Sequence, residues 1–409
     1  MAQQPDNTYD QWWARDDLHY RDGQLHLAGQ NLAELAHGAG TPVYAYSAGR
    51  VAANLARLVA ALTRHGVRHK IFYALKANRF LPLLTYLKLT GNCGLDVCSP
   101  GELRLARQVG FREEEITYTN TSVSNDDLEV LQRHPQVWVN CDSLSTIRRL
   151  GERCRGRTIG LRINPQLGAG YHPALRYAGE KATKFGLYQD RFEEALSLAR
   201  SYDLQIKTLH FHCGSGYLTP DLDTFAEILA RTNWYLDRCP TIDTLDIGGG
   251  LGLPLVESHQ PLDLDHWAGI IAGHAQARNL DIQLEPGDYL VKDAGVLILE
   301  VNTVEEKGGV MFVGVNGGFN LQNLAVYYDM PFIIAPLVVD GPAPLQQLTI
   351  AGNINEAIDL LAEDIFLPPL KEGDLLALLN AGGYGSASSS NHCMRGTFSE
   401  YLLLDIISI

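Results

Sequence analysis

From residue 71 to 286, short apolar β-prone runs alternate with amphipathic segments, which predicts an α/β protein built on a (β/α)8, or TIM, barrel. The strand-like runs number eight, the count that closes such a barrel, and they span about 215 residues, a fitting length. After residue 290 apolar or alternating runs are separated by Gly, Pro and Asn, which predicts a β-rich second domain. A doubly wound open sheet needs no particular strand number and would explain the count only by accident.

At the N-terminal end, 18–27 with Arg21-Asp22-Gly23 at its centre reads as a hairpin, and 42–46 as a further strand. The expected barrel strands are 71–76, 94–99, 116–120, 137–143, 158–164, 206–214, 244–250 and 281–285. Between them, 101–109, 125–133, 190–202, 221–236 and 264–279 carry apolar residues at helical spacing. Acidic and Ser/Asn starts such as Ser124-Asn125-Asp126-Asp127 suit helix N-termini. Runs at 295–301, 310–315, 347–351 and 374–379 supply the later strands. The early strands are expected to join this later β domain, dividing the chain into 1–47, a barrel at 48–290, and 291–409.

Composition removes several classes of function. A hydrophobic share of 46% and a charged share of 20% fit a soluble globular protein. A net charge of −14 without a basic run argues against a nucleic-acid partner. The segment 1–10 lacks the basic-then-apolar layout of a signal peptide, and no apolar stretch reaches membrane-spanning length. Seven scattered cysteines without a CxxC pair read as reduced thiols of a cytoplasmic protein, with no disulfide framework and no metal site expected.

Barrel enzymes gather their chemistry at the C-terminal ends of the strands. Here those ends carry Lys76, Asp96, Arg162, His212, the triplet Gly248-Gly249-Gly250, and Glu285. Alone, a strand-end lysine usually snorkels to water, a His-x-His is structural or metal-binding, and a glycine triplet is a turn. Together they suit one phosphorylated carbonyl cofactor. A lysine desolvated at the end of an apolar strand is expected to offer a neutral amine for a Schiff base.

The stretches Tyr73-Ala74-Leu75-Lys76-Ala77-Asn78 and Gly94-Leu95-Asp96-Val97-Cys98-Ser99-Pro100-Gly101-Glu102-Leu103 resemble pyridoxal-phosphate-dependent decarboxylases of the alanine-racemase-like fold (fold type III), the diaminopimelate and ornithine decarboxylase family. The resemblance continues through His210-Phe211-His212-Cys213-Gly214-Ser215, Asp246-Ile247-Gly248-Gly249-Gly250-Leu251-Gly252 and Glu285-Pro286-Gly287. It ends with Gly382-Gly383-Tyr384-Gly385 and Ser390-Asn391, in order and over nearly the whole chain. It implies pyridoxal 5'-phosphate as cofactor, with Lys76 as its anchor and Asp96 as the electrostatic partner of that lysine. It further implies His212 stacked on the ring, Glu285 facing the ring nitrogen and Arg162 near the phenolic oxygen. The phosphate would sit against Gly248, Gly249 and Gly250, with the hydroxyls of Ser215 and Tyr384. A homodimer with two shared active sites is also implied.

Three departures fall on the substrate side. The family's Cys-Glu-Ser-x-Asp segment reads Asn355-Glu356-Ala357-Ile358-Asp359, so an amide stands where the resemblance implies a thiol that positions the carboxylate and takes part in protonation. An amide cannot deliver that proton, which leaves it to Lys76 or water, with Cys393 a further option. Glu-Pro-Gly-Arg reads Glu285-Pro286-Gly287-Asp288, and a second family arginine aligns with Leu324 in the segment 320–328, which closes on Tyr328. Both arms of a carboxylate clamp are thus missing. Asp288 and Glu356 would favour a cationic or hydroxyl-bearing group; alternatively Arg176, Lys181 and Lys184 receive acidic groups, or are a solvated loop.

These residues predict an α-decarboxylase of an amino acid or amino-acid conjugate in specialised biosynthesis, of the siderophore or antibiotic type. The alternatives are a primary-metabolism lysine, ornithine or diaminopimelate decarboxylase, an amino-acid racemase, and an inactive regulatory homologue. No two-base arrangement for a racemase is identified, and retention of Lys76, His212 and Glu285 weighs against the regulator. The expected catalytic residues are Lys76, His212, Asn355 and Glu356; the expected substrate contacts are Asp288, Leu324, Tyr328, Asn355 and Glu356.

Overall fold

A computed structural model of the chain describes residues 9, 11–179, 181–341 and 343–404. The leading segment 1–10, apart from Tyr9, lies outside the described residues. The chain divides into two compact units, one made of 1–53, 254–259 and 291–409, the other of 54–253 and 260–290.

In the first unit, β1 (Leu18–Arg21) and β2 (Gln24–Leu27) pair antiparallel across the Asp22-Gly23 turn. Both turn residues are left-handed, the geometry that matches a two-residue hairpin to strand twist. β3 (Gln30–Asn31) completes a small sheet, and the Asn31 side chain caps the helix Leu32–Ala39. β4 is Val43–Ser47.

The second unit contains the barrel: β5 (His69–Ala74), β6 (Gly94–Val97), β7 (Ile116–Thr119), β8 (Trp138–Cys141), β9 (Thr158–Arg162), β10 (Gln205–His210), β11 (Thr244–Asp246) and β12 (Asp281–Leu284). All neighbours are parallel, and β12 pairs with β5 to close the ring. Each predicted run overlaps one of these strands, β5 and β10 starting slightly earlier than predicted, but every strand stops short of its predicted end. The missing residues have left the ladder: Lys76 lies in a single tight turn, Leu75–Ala77, and His212 and the glycine triplet follow their strands. Three βα turns end on a serine, Ser99, Ser124 or Ser143, whose side chain accepts the N–H three residues on and so starts the next helix. Those helices bury one stripe each, such as Leu103 and Ala106, Leu128 and Leu131, or Ile147 and Leu150.

The first unit continues with β13 (Gly295–Lys307), β14 (Val310–Val315), β15 (Ile334–Pro336), β16 (Gln346–Ala351), β17 (Leu360–Leu367), β18 (Leu375–Leu378) and β19 (Ser399–Leu403). The order β15-β18-β13-β14-β16-β17 forms one sheet, and β4 joins it between β13 and β19. β17 ends the sheet with irregular register to β16 and with Asp364 in the left-handed region. The early strands fall in one unit with the later β domain as expected, and β4 joins its large sheet. The hairpin keeps its own sheet, and its Leu25 and Leu27 pack into the core formed with Val43, Val296 and Leu337. The hairpin is also fastened just beyond β15, Leu25 N–H donating to the Leu337 carbonyl at 2.9 Å and Gln24 bridging Val338.

Candidate active site

The barrel brings its sequence-predicted residues to one rim. Register sets them level: Arg162, His210 and Asp246 close β9, β10 and β11 as direct neighbours, and Asp96 sits beside Ala74. Lys76 Nζ donates to Asp96 Oδ2 at 2.5 Å. The Lys76 side chain is 40% exposed, whereas Asp96 is fully buried. The expectation of a desolvated lysine is therefore corrected: the burial falls on the acid, because the tight turn after β5 carries the amine out over the rim. Helix capping, the other role open to Asp96, belongs to Ser99.

Burial and then the charge of Glu285 raise the Asp96 carboxyl to about 7, against the opposing pull of Lys76. The ordinary value is about 4, so the folded state binds a proton that the unfolded chain does not. The contribution of Asp96 to stability is then full below pH ~4 and is lost as pH rises through about 7. The melting temperature of the cofactor-free protein is expected to fall relative to that of Asp96→Asn across that range. Parallel melting profiles would remove the burial argument.

Glu285 is held by two strand ends. His210 Nε2 lies 3.1 Å from its Oε2, and Thr119 Oγ1 donates 2.8 Å to its Oε1. Burial alone would raise this carboxyl, but His210, Lys76 and the Thr119 hydroxyl together hold it down at about 2. Glu285 thus stays charged through the physiological range. His212 is lowered well below its usual value, by burial and then by Arg162 and Lys76, so its ring is neutral. The Tyr177 ring stands 4.8 Å from it, and the Arg162 guanidinium lies 4.6 Å over Phe185.

The glycine triplet is a cradle in which side chains would not fit. Gly248 has φ +64, and its N–H donates to Asp246 Oδ1 at 2.9 Å. Gly250 has φ +101, and a Cβ there would lie 2.1 Å from the Gly214 carbonyl oxygen. Ser215 is tied to the 165–184 loop, donating its N–H to the Leu175 carbonyl at 3.1 Å and accepting from Tyr171 N–H at 2.9 Å. In that loop Arg176, Lys181 and Lys184 are exposed, in keeping with the solvated-loop reading.

The remaining predicted residues fall on other segments of the two units. Asp288 opens a four-residue helix directly after the Glu285 turn. In the first unit Leu324 and Tyr328 begin and end the helix Leu324–Tyr328, with Leu324 buried and without a polar group to offer. Asn355 and Glu356 are exposed between β16 and β17, and Glu356 lies 3.5 Å from His392. Tyr384 is left-handed, at φ 56, beyond β18. Sequence reasoning missed Thr119, His210, Asp246 and Tyr177. The first three close observed strands but lay inside the longer predicted runs, so position did not single them out; Tyr177 carried no signal either.

A lysine paired with an acid, a charged carboxylate, a neutral imidazole and a backbone cradle without Cβ atoms fit pyridoxal phosphate, so the barrel and this rim define a pyridoxal-phosphate enzyme. A family model described as pyridoxal-dependent decarboxylase, pyridoxal binding domain, matches residues 49–292. A diaminopimelate decarboxylase of Methanothermobacter thermautotrophicus is 35% identical over 95% of this chain and 92% of its own length. A crystal structure of the M. jannaschii diaminopimelate decarboxylase in complex with L-lysine superposes with TM-score 0.87 at 27% identity, covering 95% of this chain and 93% of that one. The Helicobacter pylori enzyme, also with L-lysine, gives TM-score 0.83 at 26% identity, over 92% and 95%. The chain belongs to the fold type III pyridoxal-dependent decarboxylases of the diaminopimelate and ornithine family. It is a carboxy-lyase acting on an amino acid, with pyridoxal phosphate as cofactor.

Proposed function

We propose that this decarboxylase acts on diaminopimelate or on a derivative of it with an altered distal end, with Lys76 as the cofactor's anchor. The contact that carries the anchor reading is the 2.5 Å link between exposed Lys76 and buried Asp96. Kinship of 35% identity with an enzyme named for diaminopimelate favours that amino acid. Asp288 and Leu324, neither able to clamp a carboxylate as arginine does, favour a derivative, as specialised biosynthesis would use.

Bound pyridoxal phosphate supplies the electron sink for the pair left when carbon dioxide departs. The residues supply orientation and charge. Lys76 would hold the cofactor and, once free, a proton at Nζ, a role that Asn355 cannot take. Asp96 keeps that ammonium in place. Glu285 would offer a fixed negative charge to the cofactor's ring nitrogen, and neutral His212 would flank the ring without adding charge. Backbone N–H groups of the glycine turn, with Ser215, would take the phosphate.

Homodimerisation is part of the proposal. Tyr327, Ile358 and Met394 are exposed apolar side chains on three segments of the first unit. Ring contacts from Phe319 to Tyr327 and His392, and the Glu356–His392 pair, tie these segments together. Among the described residues no helix is long and apolar enough to cross a membrane, in keeping with a cytoplasmic location.

A carbon dioxide release assay over diaminopimelate, its acyl and citryl conjugates, lysine and ornithine tests the substrate. Turnover of diaminopimelate or one conjugate well above the rest is expected. Equal or better turnover of lysine or ornithine would overturn the proposal.

A further inference from the structure

Resting on the cofactor reading above, we infer that Asp246 is a neutral carboxylic acid that serves Glu285 as a positioning residue. It joins the carboxylate facing the cofactor ring to the turn that cradles the phosphate.

Asp246 closes β11 and is fully buried. Its Oδ1 accepts the Gly248 N–H, whereas no N–H or O–H among the described residues reaches its Oδ2. One nitrogen or oxygen each from Asp246, His210 and Glu285 lie within 4.8 Å of one another. Two buried carboxylates that close cannot both readily stay ionised. Thr119 and His210 both direct hydrogen bonds at Glu285, which favours the charged form there. Asp246 has a single backbone donor, on one oxygen, so the proton belongs to it. A proton on Oδ2 converts an orphaned acceptor into a donor beside an acceptor-only neighbour.

The surrounding charges agree. Burial and then the charge of Glu285 push Asp246 well above the usual carboxylate range, with Asp96 adding to the effect. Burial also lowers His210, which remains a neutral ring with its Nε2–H aimed at Glu285. Arg162, level with His210 on β9, is the cation on this side of the cluster. The cluster therefore carries one negative charge, placed on Glu285. Because Gly248 N–H is fastened to Asp246 and Glu285 N–H to the Gly248 carbonyl at 2.7 Å, ring partner and phosphate turn move as one piece.

Infrared difference spectra of the holoenzyme at neutral pH, wild type against Asp246→Asn, test the proton. A C=O stretch of a protonated carboxylic acid that is present in the wild type and missing from the variant is expected, over the share that buried Asp96 adds equally to both proteins. Cofactor Kd separates positioning from mere filling of space. Asparagine keeps a donor and an acceptor and is expected to raise Kd by less than about threefold, whereas Asp246→Leu removes both and is expected to raise it at least about tenfold. If Asp246→Leu does not fold, the infrared band and the asparagine variant still decide. A wild type without the band, an unchanged band in Asp246→Asn, or one equivalent of tightly held divalent metal lost in that variant would each overturn the inference. Absence of any bound-cofactor absorption in the wild type would instead remove the cofactor reading, while the same band in the cofactor-free protein still tests the proton.

Discussion

Lys76→Ala is expected to lose the visible absorption of bound cofactor and to lower decarboxylation at least about a thousandfold, some 4 kcal/mol of barrier. The size follows from the chemistry: this amine stands at the rim with a buried acid to hold it, and the Nζ–Asp96 link is 2.5 Å. Lys76→Arg is expected to fail equally, because a guanidinium is never a neutral nucleophile. Absorption titration with pyridoxal phosphate and a carbon dioxide assay measure the two losses separately. A variant that retains both would mean that another group anchors the cofactor. Retention of the band with loss of turnover would instead leave Lys76 only its proton.

Glu285→Gln is the second large effect. Cofactor is expected to remain bound, since the phosphate turn and Lys76 are untouched, while kcat falls by about a hundredfold or more. Glutamine keeps acceptor capacity for Thr119 and His210 but brings no charge to the ring. The loss should appear in kcat rather than in cofactor Kd, and raising the pH should not restore it. Glu285 in the wild type is already ionised, its carboxyl held down at about 2, so the acid limb of the wild-type rate profile belongs to another group. An acid limb that disappears only in Glu285→Gln would contradict this assignment.

The barrel was legible because each of its strands is buried on both faces and so reads as a short apolar run between helical stretches. Strand ends were legible only to within a few residues. Lys76 illustrates why: an apolar run continues smoothly into Leu75, but the backbone leaves the ladder at Ala74 to form a tight turn. That turn also undid the expectation of a buried lysine. β17 and β19 were missed, since 360–367 mixes Glu363 and Asp364 into its centre and 399–403 is short and follows an irregular loop. At the site, residue types with an obvious chemical role were found, and supporting ones were not. Thr119 and Asp246 matter through a partner brought near by barrel closure, and no spacing along the chain encodes that distance. Kinship corrected the substrate emphasis: the departures at 288, 324 and 355 had suggested specialised biosynthesis, and the relatives restored diaminopimelate as the nearer comparison.

The left-handed Asp364 in β17 has a consequence for solubility. β17 is an outer strand of its sheet, where a run of unpaired backbone groups could recruit a strand from another molecule. Its centre carries Glu363 and Asp364, its register against β16 is broken, and Pro368-Pro369 follows directly. Acidic charge, a kinked backbone and two residues without an N–H leave no straight edge on which a foreign strand could be laid. Aggregation by edge-to-edge growth is thereby blocked on the side of the sheet where Phe366 stands exposed and would otherwise invite it.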